Sequence, residues 1–145
     1  MEQKDNQRDL TRTINMGSLR PVSDQLSILL DKASQEDRDV INALGEDSAM
    51  LISLSGPGKG TRFLINSERT VIGRSIESDI FLDDVTVSRK HAEIMRSGKS
   101  YSFRDCGSLN GTYLDGKISE QAELKDGSEL HIGKYRLHFF VGGRG

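Results

Sequence analysis

Three short stretches of the sequence carry side chains that complement a phosphate ester: Gly73-Arg74, Ser88-Arg89-Lys90-His91 and Ser108-Leu109-Asn110-Gly111-Thr112. A doubly charged phosphate monoester is well held by a guanidinium fork, a hydroxyl donor and a second cation. Arg74, Ser88 and Arg89 supply that set. Asn110 carries an acceptor and two donors on one amide, so it can bond both the C=O and the N–H of an extended peptide, and Ser108 adds a hydroxyl beside it. Singly, each residue has a plainer account. An arginine at a strand end is ordinarily solvated, and Asn-Gly is a strong turn signal because both residues tolerate positive φ. The phosphate reading requires a fold that gathers all three loops at one end.

Other chemistries fit less well. Gly56-Pro57-Gly58-Lys59-Gly60-Thr61 has the wrong order for a nucleotide-binding loop, which ends Gly-Lys-Ser/Thr and opens a helix; a hairpin turn accounts for it. His91, His131 and His138 have no cysteine or carboxylate at ligand spacing, and His131 and His138 read as ordinary strand residues. Ser88 and His91 are three apart in an extended loop with no orienting acid, so they do not form a nucleophile and base. No Gly-x-Ser-x-Gly elbow is present. The expectation is a protein that is not an enzyme and uses neither cofactor nor metal.

The elements that must position the loops are strands. From Ala49 onward, Ala49–Ile65 reads strand, glycine-rich turn, strand; Arg69–Gly73 and Asp79–Leu82 are short strands; Lys90–Asp105 is a hairpin turning at Ser97-Gly98; Gly111–Ile118 follows, and Ser128–Val141 turns at Gly133-Lys134. Alternation is clear in Tyr135, Leu137, Phe139 and Val141. Short strands every 8–12 residues without intervening helices predict an antiparallel β-sandwich.

Residues 1–48 have a different texture. The stretch up to Val22 is too polar to build a core and is expected to be disordered. Pro21 punctuates it; beyond, Ser23 is a candidate N-cap for a helix carrying Leu26, Leu29, Leu30 and Ala33, and Val40, Ile41 and Leu44 mark a second helix stopped by Gly45. The expected division is therefore a tail over 1–48, with short helices within 23–44, and a domain over 49–142.

Charge and composition narrow the class. The chain has 145 residues and net charge -2, so no nucleic-acid partner is expected. Residues 1–48 carry six Lys/Arg against ten Asp/Glu, and the rest carry fourteen against twelve; an acidic segment beside a mildly basic domain suits either tail-domain contact or plain solvation. The single cysteine, Cys106, allows no intrachain disulfide and fits a reducing compartment. The N-terminus lacks the apolar core of a secretory signal, and no apolar run reaches the ~18 residues of a membrane span. A cytoplasmic protein without a membrane partner is expected.

Gly73-Arg74, Ser88–His91 and Asn110-Gly111-Thr112, in that order and spacing, resemble the forkhead-associated (FHA) domain, over about residues 49–142. The resemblance implies an eleven-stranded β-sandwich that binds phosphothreonine peptides through loops at one end. It implies that Arg74 and Ser88 contact the phosphate, that Arg89 supports it, and that Asn110 holds the peptide backbone with Ser108 nearby. Gly73 and Gly111 would shape their turns, and His91 would be structural, tying the binding loops together by hydrogen bonds.

Glu77–Glu93 and Gly107–Tyr113 are similar to one actinobacterial group of this family, the glycogen accumulation regulators and oxoglutarate dehydrogenase inhibitors. That resemblance implies a Ser/Thr protein kinase acting on a tail threonine. The phosphorylated tail then docks on its own domain, which releases metabolic enzymes of 2-oxoglutarate dehydrogenase or glutamate metabolism, and the closed form is a monomer. The group has two adjacent threonines after a glutamate. Here Thr11 and Thr13 flank Arg12, with Ile14 at +3 of Thr11 and Met16 at +3 of Thr13. Both remain candidates. The alternative is an adaptor that binds partners in trans without tail self-inhibition.

Overall fold

The structure, a computed structural model, describes residues 22–143. Among the described residues, two helices, α1 (Val22–Lys32) and α2 (Gln35–Ala43), precede eleven strands: β1 (Ala49–Ile52), β2 (Arg62–Ile65), β3 (Arg69–Gly73), β4 (Ile80–Phe81), β5 (Ala92–Ser97), β6 (Ser100–Asp105), β7 (Thr112–Leu114), β8 (Lys117–Ile118), β9 (Gln121–Leu124), β10 (Glu129–Ile132) and β11 (Tyr135–Val141). The described residues fall into two compact units divided between Asp31 and Lys32, so α2 belongs with the strands and α1, but for its last residue, does not. Ser23 lies within α1 rather than at its N-cap. For α2 the cap is Ser34, whose hydroxyl accepts from the Asp37 amide at 3.0 Å, with Glu36 and Asp37 in the first turn where the helix dipole favours anions.

The strands form a five-stranded sheet, β9-β6-β5-β3-β4, and a six-stranded sheet, β2-β1-β11-β10-β7-β8. Pairing is antiparallel except between β3 and β4, where Ile72 faces Ile80 in parallel register. The chain leaves β3 through Arg74 and returns alongside it by a loop, and this parallel pair is what leaves that loop standing free at the sheet end. The β10–β11 hairpin turns at Gly133-Lys134 as expected, and the β5–β6 hairpin turns at Gly98-Lys99, one residue beyond the expected Ser97-Gly98 because Ser97 still pairs with Ser100; each turn opens with a glycine of positive φ (Gly98, 63°; Gly133, 59°). Ser53–Thr61 is a loop between paired strands, leading into β2 and not into a helix.

Between the sheets lies one apolar core, with Leu51, Ile72, Ile94, Phe103, Leu130, Leu137 and Phe139 buried. Tyr101 meets Phe139 edge-on, with centroids 5.1 Å apart. The alternation in β11 has one exception: Phe140, opposite Met50, is fully buried although it points away from this core. Met50 and Ile52 are buried on the same outward face, and Ile41 and Leu44 at the end of α2 are buried too. An Asp37–Arg62 ion pair at 3.2 Å ties α2 to β2, and the Gly143 amide donates to the Leu44 carbonyl at 3.0 Å.

Candidate functional site

The C-terminal ends of β3, β6 and β10 and the N-terminal ends of β5, β7 and β11 lie at one end of the sandwich, because Ile72 pairs with Ala92, Ala92 with Asp105, Thr112 with Ile132, and Ile132 with Tyr135. The loops at that end carry every residue singled out in the domain. A ladder of backbone bonds runs between two of them: His91 N to Ile72 O, Arg74 N to Ser88 O and Ser75 N to Arg89 O, at 2.9, 2.9 and 3.1 Å. Gly73 sits where they touch. A Cβ there would fall on the Arg89 carbonyl, 2.8 Å from its carbon. Glycine is required by close approach, not by an unusual φ.

His91 is fully buried and joins the sheets. Its Nδ1 accepts from the Ser88 amide at 3.0 Å, and its Nε2 lies 2.9 Å from the Gly111 carbonyl. Those two partners assign the neutral tautomer with the proton on Nε2. Gly111 has φ 82°, and a Cβ would meet the Ile118 side chain at 2.6 Å. Asn110-Gly111 is not a hairpin turn: the strands it joins, β6 and β7, lie in different sheets, and the hairpin turn of this region is Asp115-Gly116, both at positive φ.

The side chains left for a ligand are specific. Arg74 is exposed and uses only Nε, on the Val87 carbonyl at 3.0 Å, so both terminal nitrogens are open among the described residues. Ser88 Oγ accepts from the Leu109 amide at 3.0 Å and keeps its proton to give. Arg89 is exposed with no side-chain partner among the described residues. Asn110 gives one amide proton to the Thr86 carbonyl at 3.0 Å, which fixes the amide plane and leaves Oδ1 and the second proton outward. Ser108 differs from expectation. Its hydroxyl donates to Asp105 Oδ1 at 2.5 Å and accepts from Gly111 N at 2.9 Å, so its one proton is spent on bracing the loop.

Four supporting residues escaped the sequence reading. Asp105 accepts from the Gly107 and Ser108 amides, each at 3.0 Å, from Ser108 Oγ, and from Thr112 Oγ1 at 2.7 Å. Burial works to raise its pKa, but these donors prevail and hold it below the ordinary value. An aspartate two residues before a glycine at a strand end is the turn signal that could have flagged it. Asp84, Thr86 and Lys134 form a second brace. Asp84 accepts from the Thr86 amide at 2.9 Å and from the Thr86 hydroxyl, and pairs with Lys134 Nζ at 2.8 Å; Thr86 Oγ1 in turn accepts from Lys134 N at 3.0 Å. The Lys134 ammonium and the Thr86 donors lower the Asp84 pKa to about 2. This brace fixes the Thr86 carbonyl that holds Asn110.

Three apolar side chains stand in solvent on these loops: Ile76, Val85 and Leu109, 84, 88 and 89% exposed. Beside Asn110 a depression of about 370 Å³ is lined by Ser108, Leu109, Thr112 and Ile118. Beside Arg89 another of about 230 Å³ is lined by Arg69, Ser75, Ser78 and Lys90. Together with the open donors, these surfaces suit a tetrahedral dianion on an extended chain that has apolar flanks. The tail threonines Thr11 and Thr13 lie outside the described residues.

Comparison with known proteins fits this geometry. The family model for the FHA domain matches residues 70–133. An oxoglutarate dehydrogenase inhibitor of Corynebacterium jeikeium is 46% identical over 117 residues, covering 79% of this chain and 81% of the relative. The glycogen accumulation regulator GarA of Mycolicibacterium smegmatis is 47% identical over 102 residues, covering 70% of this chain and 65% of the relative, just under two-thirds of its length. Among solved structures, one of phosphothreonine-dependent FHA domain interactions superposes with a TM-score of 0.60 at 26% identity, over 65% of this chain and 96% of that one. The FHA domain of the CT664 protein from Chlamydia trachomatis gives 0.59 at 28%, over 64% and 96%. With the motif spacing, the eleven strands and a relative nearly half identical across most of both chains in agreement, this chain belongs to the FHA domain family, in the group of the oxoglutarate dehydrogenase inhibitors and glycogen accumulation regulators.

Proposed function

We propose that this protein is a non-catalytic cytoplasmic regulator that binds phosphothreonine peptides at the loop end of its sandwich and so controls metabolic enzymes such as the 2-oxoglutarate dehydrogenase complex. The observation that carries this reading is the set of open donors at one pole: the Arg74 terminal nitrogens, the Ser88 hydroxyl proton, the Arg89 guanidinium and the outward Asn110 amide. Arg74 and Ser88 take the phosphate oxygens, Arg89 adds the second cation, and Asn110 bonds the peptide backbone. Gly73, His91, Ser108 and Gly111 hold the loops in register. The enzyme targets follow from the names of the relatives, one an inhibitor of oxoglutarate dehydrogenase.

The regulatory input is a Ser/Thr protein kinase acting on Thr11 or Thr13. A phosphate adds roughly -1.5 to -2 charge, and the modified tail docks on the site of its own chain. A tether of this kind gives an effective concentration on the order of millimolar, so an intrinsic affinity of ~10 μM leaves the tail about 99% docked. The test is to phosphorylate the intact chain and titrate it with a phosphothreonine peptide. Self-docking makes the added peptide appear about 100-fold weaker than on the unmodified chain; equal affinity on both forms would refute it. Ile76, Val85 and Leu109 favour a second reading, an adaptor engaging a protein surface in trans, because solvent-facing apolar side chains on all three loops serve a partner whether or not it is phosphorylated. A partner that binds the Arg74→Ala variant unchanged would select that reading.

A further inference from the structure

A second charged feature lies on the outward face of the five-stranded sheet; it borders the depression beside Arg89 through Arg69 and Lys90 and extends beyond it to Glu93 and Arg104, which the phosphothreonine reading does not use. Strand register puts Glu93 of β5 beside Arg104 of β6 on that face, with Arg69 of β3 one diagonal away. The Glu93 side chain is 2% exposed, yet it accepts from Arg69 Nε at 2.8 Å and Nη2 at 2.7 Å and from Arg104 Nη2, with Lys90 Nζ 3.9 Å away. Burial works to raise the Glu93 pKa, and the two arginines outweigh it, so the carboxylate stays charged. One anion therefore sits beneath three cations, and each of these is more than half exposed: Arg69 56%, Lys90 53%, Arg104 53%.

The excess is two positive charges, with both guanidinium groups pinned from below. Arg104 keeps Nε and Nη1 without a partner among the described residues. Of the neighbouring acids, Glu123 pairs with Lys125 at 3.1 Å, whereas Asp79, which accepts from the Val71 amide at 2.8 Å, and Glu77, which lines the depression with Arg69, Arg89 and Lys90, keep their charges on the β3 side; the excess is therefore clearest at Arg104, on the side away from them. A guanidinium already fixed by a buried carboxylate loses little further freedom when it meets another. The face is continuous with the loop end, because Lys90 follows Arg89 directly.

We propose that Arg69, Lys90 and Arg104, oriented by buried Glu93, form a second docking surface that takes a carboxylate-rich segment of a protein partner while the loop end takes its phosphothreonine. The occupant is identified by charge: a flat, net-positive sheet face fits an acidic, extended or loop segment. It also gives the regulator a means of choosing among partners that share the same phosphothreonine contacts.

The test uses the full chain and a phosphothreonine peptide spanning residues 5–19, extended at either end by a run of aspartates or, as control, of asparagines. Calorimetry at low salt is expected to show tightening of about 5-fold for the aspartate extension at one end, vanishing by roughly 0.5 M salt. Amide shifts in NMR titration are expected to spread from the loops to β3, β5 and β6. Arg104→Gln, a residue outside both depressions, should reduce the gain without changing affinity for the unextended phosphopeptide, and Lys90→Gln, which leaves the Glu93–arginine pairs intact, should reduce the gain as well. Equal affinity for both extensions, a gain that survives both substitutions, or stronger shifts of the same amides by a DNA oligonucleotide would overturn the proposal. Should no phosphopeptide bind, the phosphate reading fails by itself, and an aspartate peptide alone still reports on this face through the β5 and β6 amides.

Discussion

At the scale of single residues, the site divides into side chains that face outward and side chains that hold them there. Arg74 is of the first kind. Its replacement by alanine removes open, charged donors and one bond to the Val87 carbonyl, and leaves the core alone. Charge-assisted hydrogen bonds are worth about 1.5–3 kcal/mol each, so Arg74→Ala is expected to weaken phosphopeptide binding at least 10-fold with a melting temperature near wild type. Gly73 is of the second kind. Gly73→Ala drives a methyl into the Arg89 carbonyl, and overpacking of this sort costs about 1–3 kcal/mol; urea unfolding should register it, and binding should fall with it because Ser88 and Arg74 share that ladder. The outward residues were legible in the sequence because their types are few and their spacing is fixed. The braces were not. Thr86 and Lys134 are 48 positions apart, and nothing local in either stretch announces that a threonine hydroxyl will take up a turn amide from another hairpin.

At the scale of elements, three braces join the sheets at the binding end: His91 reaching Gly111, Asp105 accepting from Thr112, and the Asp84-Thr86-Lys134 set. His91→Ala leaves a cavity and strips two backbone groups of their partner, at a cost of about 3 kcal/mol or more, measurable by urea denaturation. The aspartates give the braces a pH limit. Asp84 and Asp105 both titrate below their ordinary range when folded, and in the unfolded chain near ~3.9. Lowered pKa values stabilise the fold fully above the unfolded value and lose that contribution as pH falls through the folded one, about 2 for Asp84. Wild-type stability should therefore decline below pH ~4, and Asp84→Asn should decline less steeply over the same range. Most strands and their glycine turns were readable from alternation and glycine placement, but β9 (Gln121–Leu124), whose residues carry little β-branched or aromatic signal, was missed, and Gly111–Ile118 was read as one stretch although it turns at Asp115-Gly116 between β7 and β8. The parallel β3–β4 pair was not readable, since its two strands are short and their direction is set by the loop between them. Phe140 was not either, because its burial depends on a second apolar layer outside the sandwich core.

At the scale of the whole molecule, the design places a rigid gripping end on one unit and its candidate regulatory threonines on the same chain. The proposed self-docking would be intramolecular, and its extent would not depend on protein concentration. Sedimentation of the phosphorylated chain should show a monomer at all concentrations; a dimer growing with concentration would indicate tails exchanged between two chains. The acidic segment and the mildly basic domain were visible in the charge count. The cationic sheet face was not, because Arg69, Lys90, Glu93 and Arg104 come from different strands and loops and meet only through register.

The account stands on the phosphate grip, and the most direct test is a calorimetric titration of the wild-type chain and Arg74→Ala with three peptides spanning residues 5–19: unmodified, phosphorylated on Thr11 and phosphorylated on Thr13. The account predicts micromolar binding of a phosphorylated peptide by the wild type, none of the unmodified peptide, and loss of at least 10-fold in Arg74→Ala. Equal binding of modified and unmodified peptides, or an Arg74→Ala variant that binds like wild type, would contradict it.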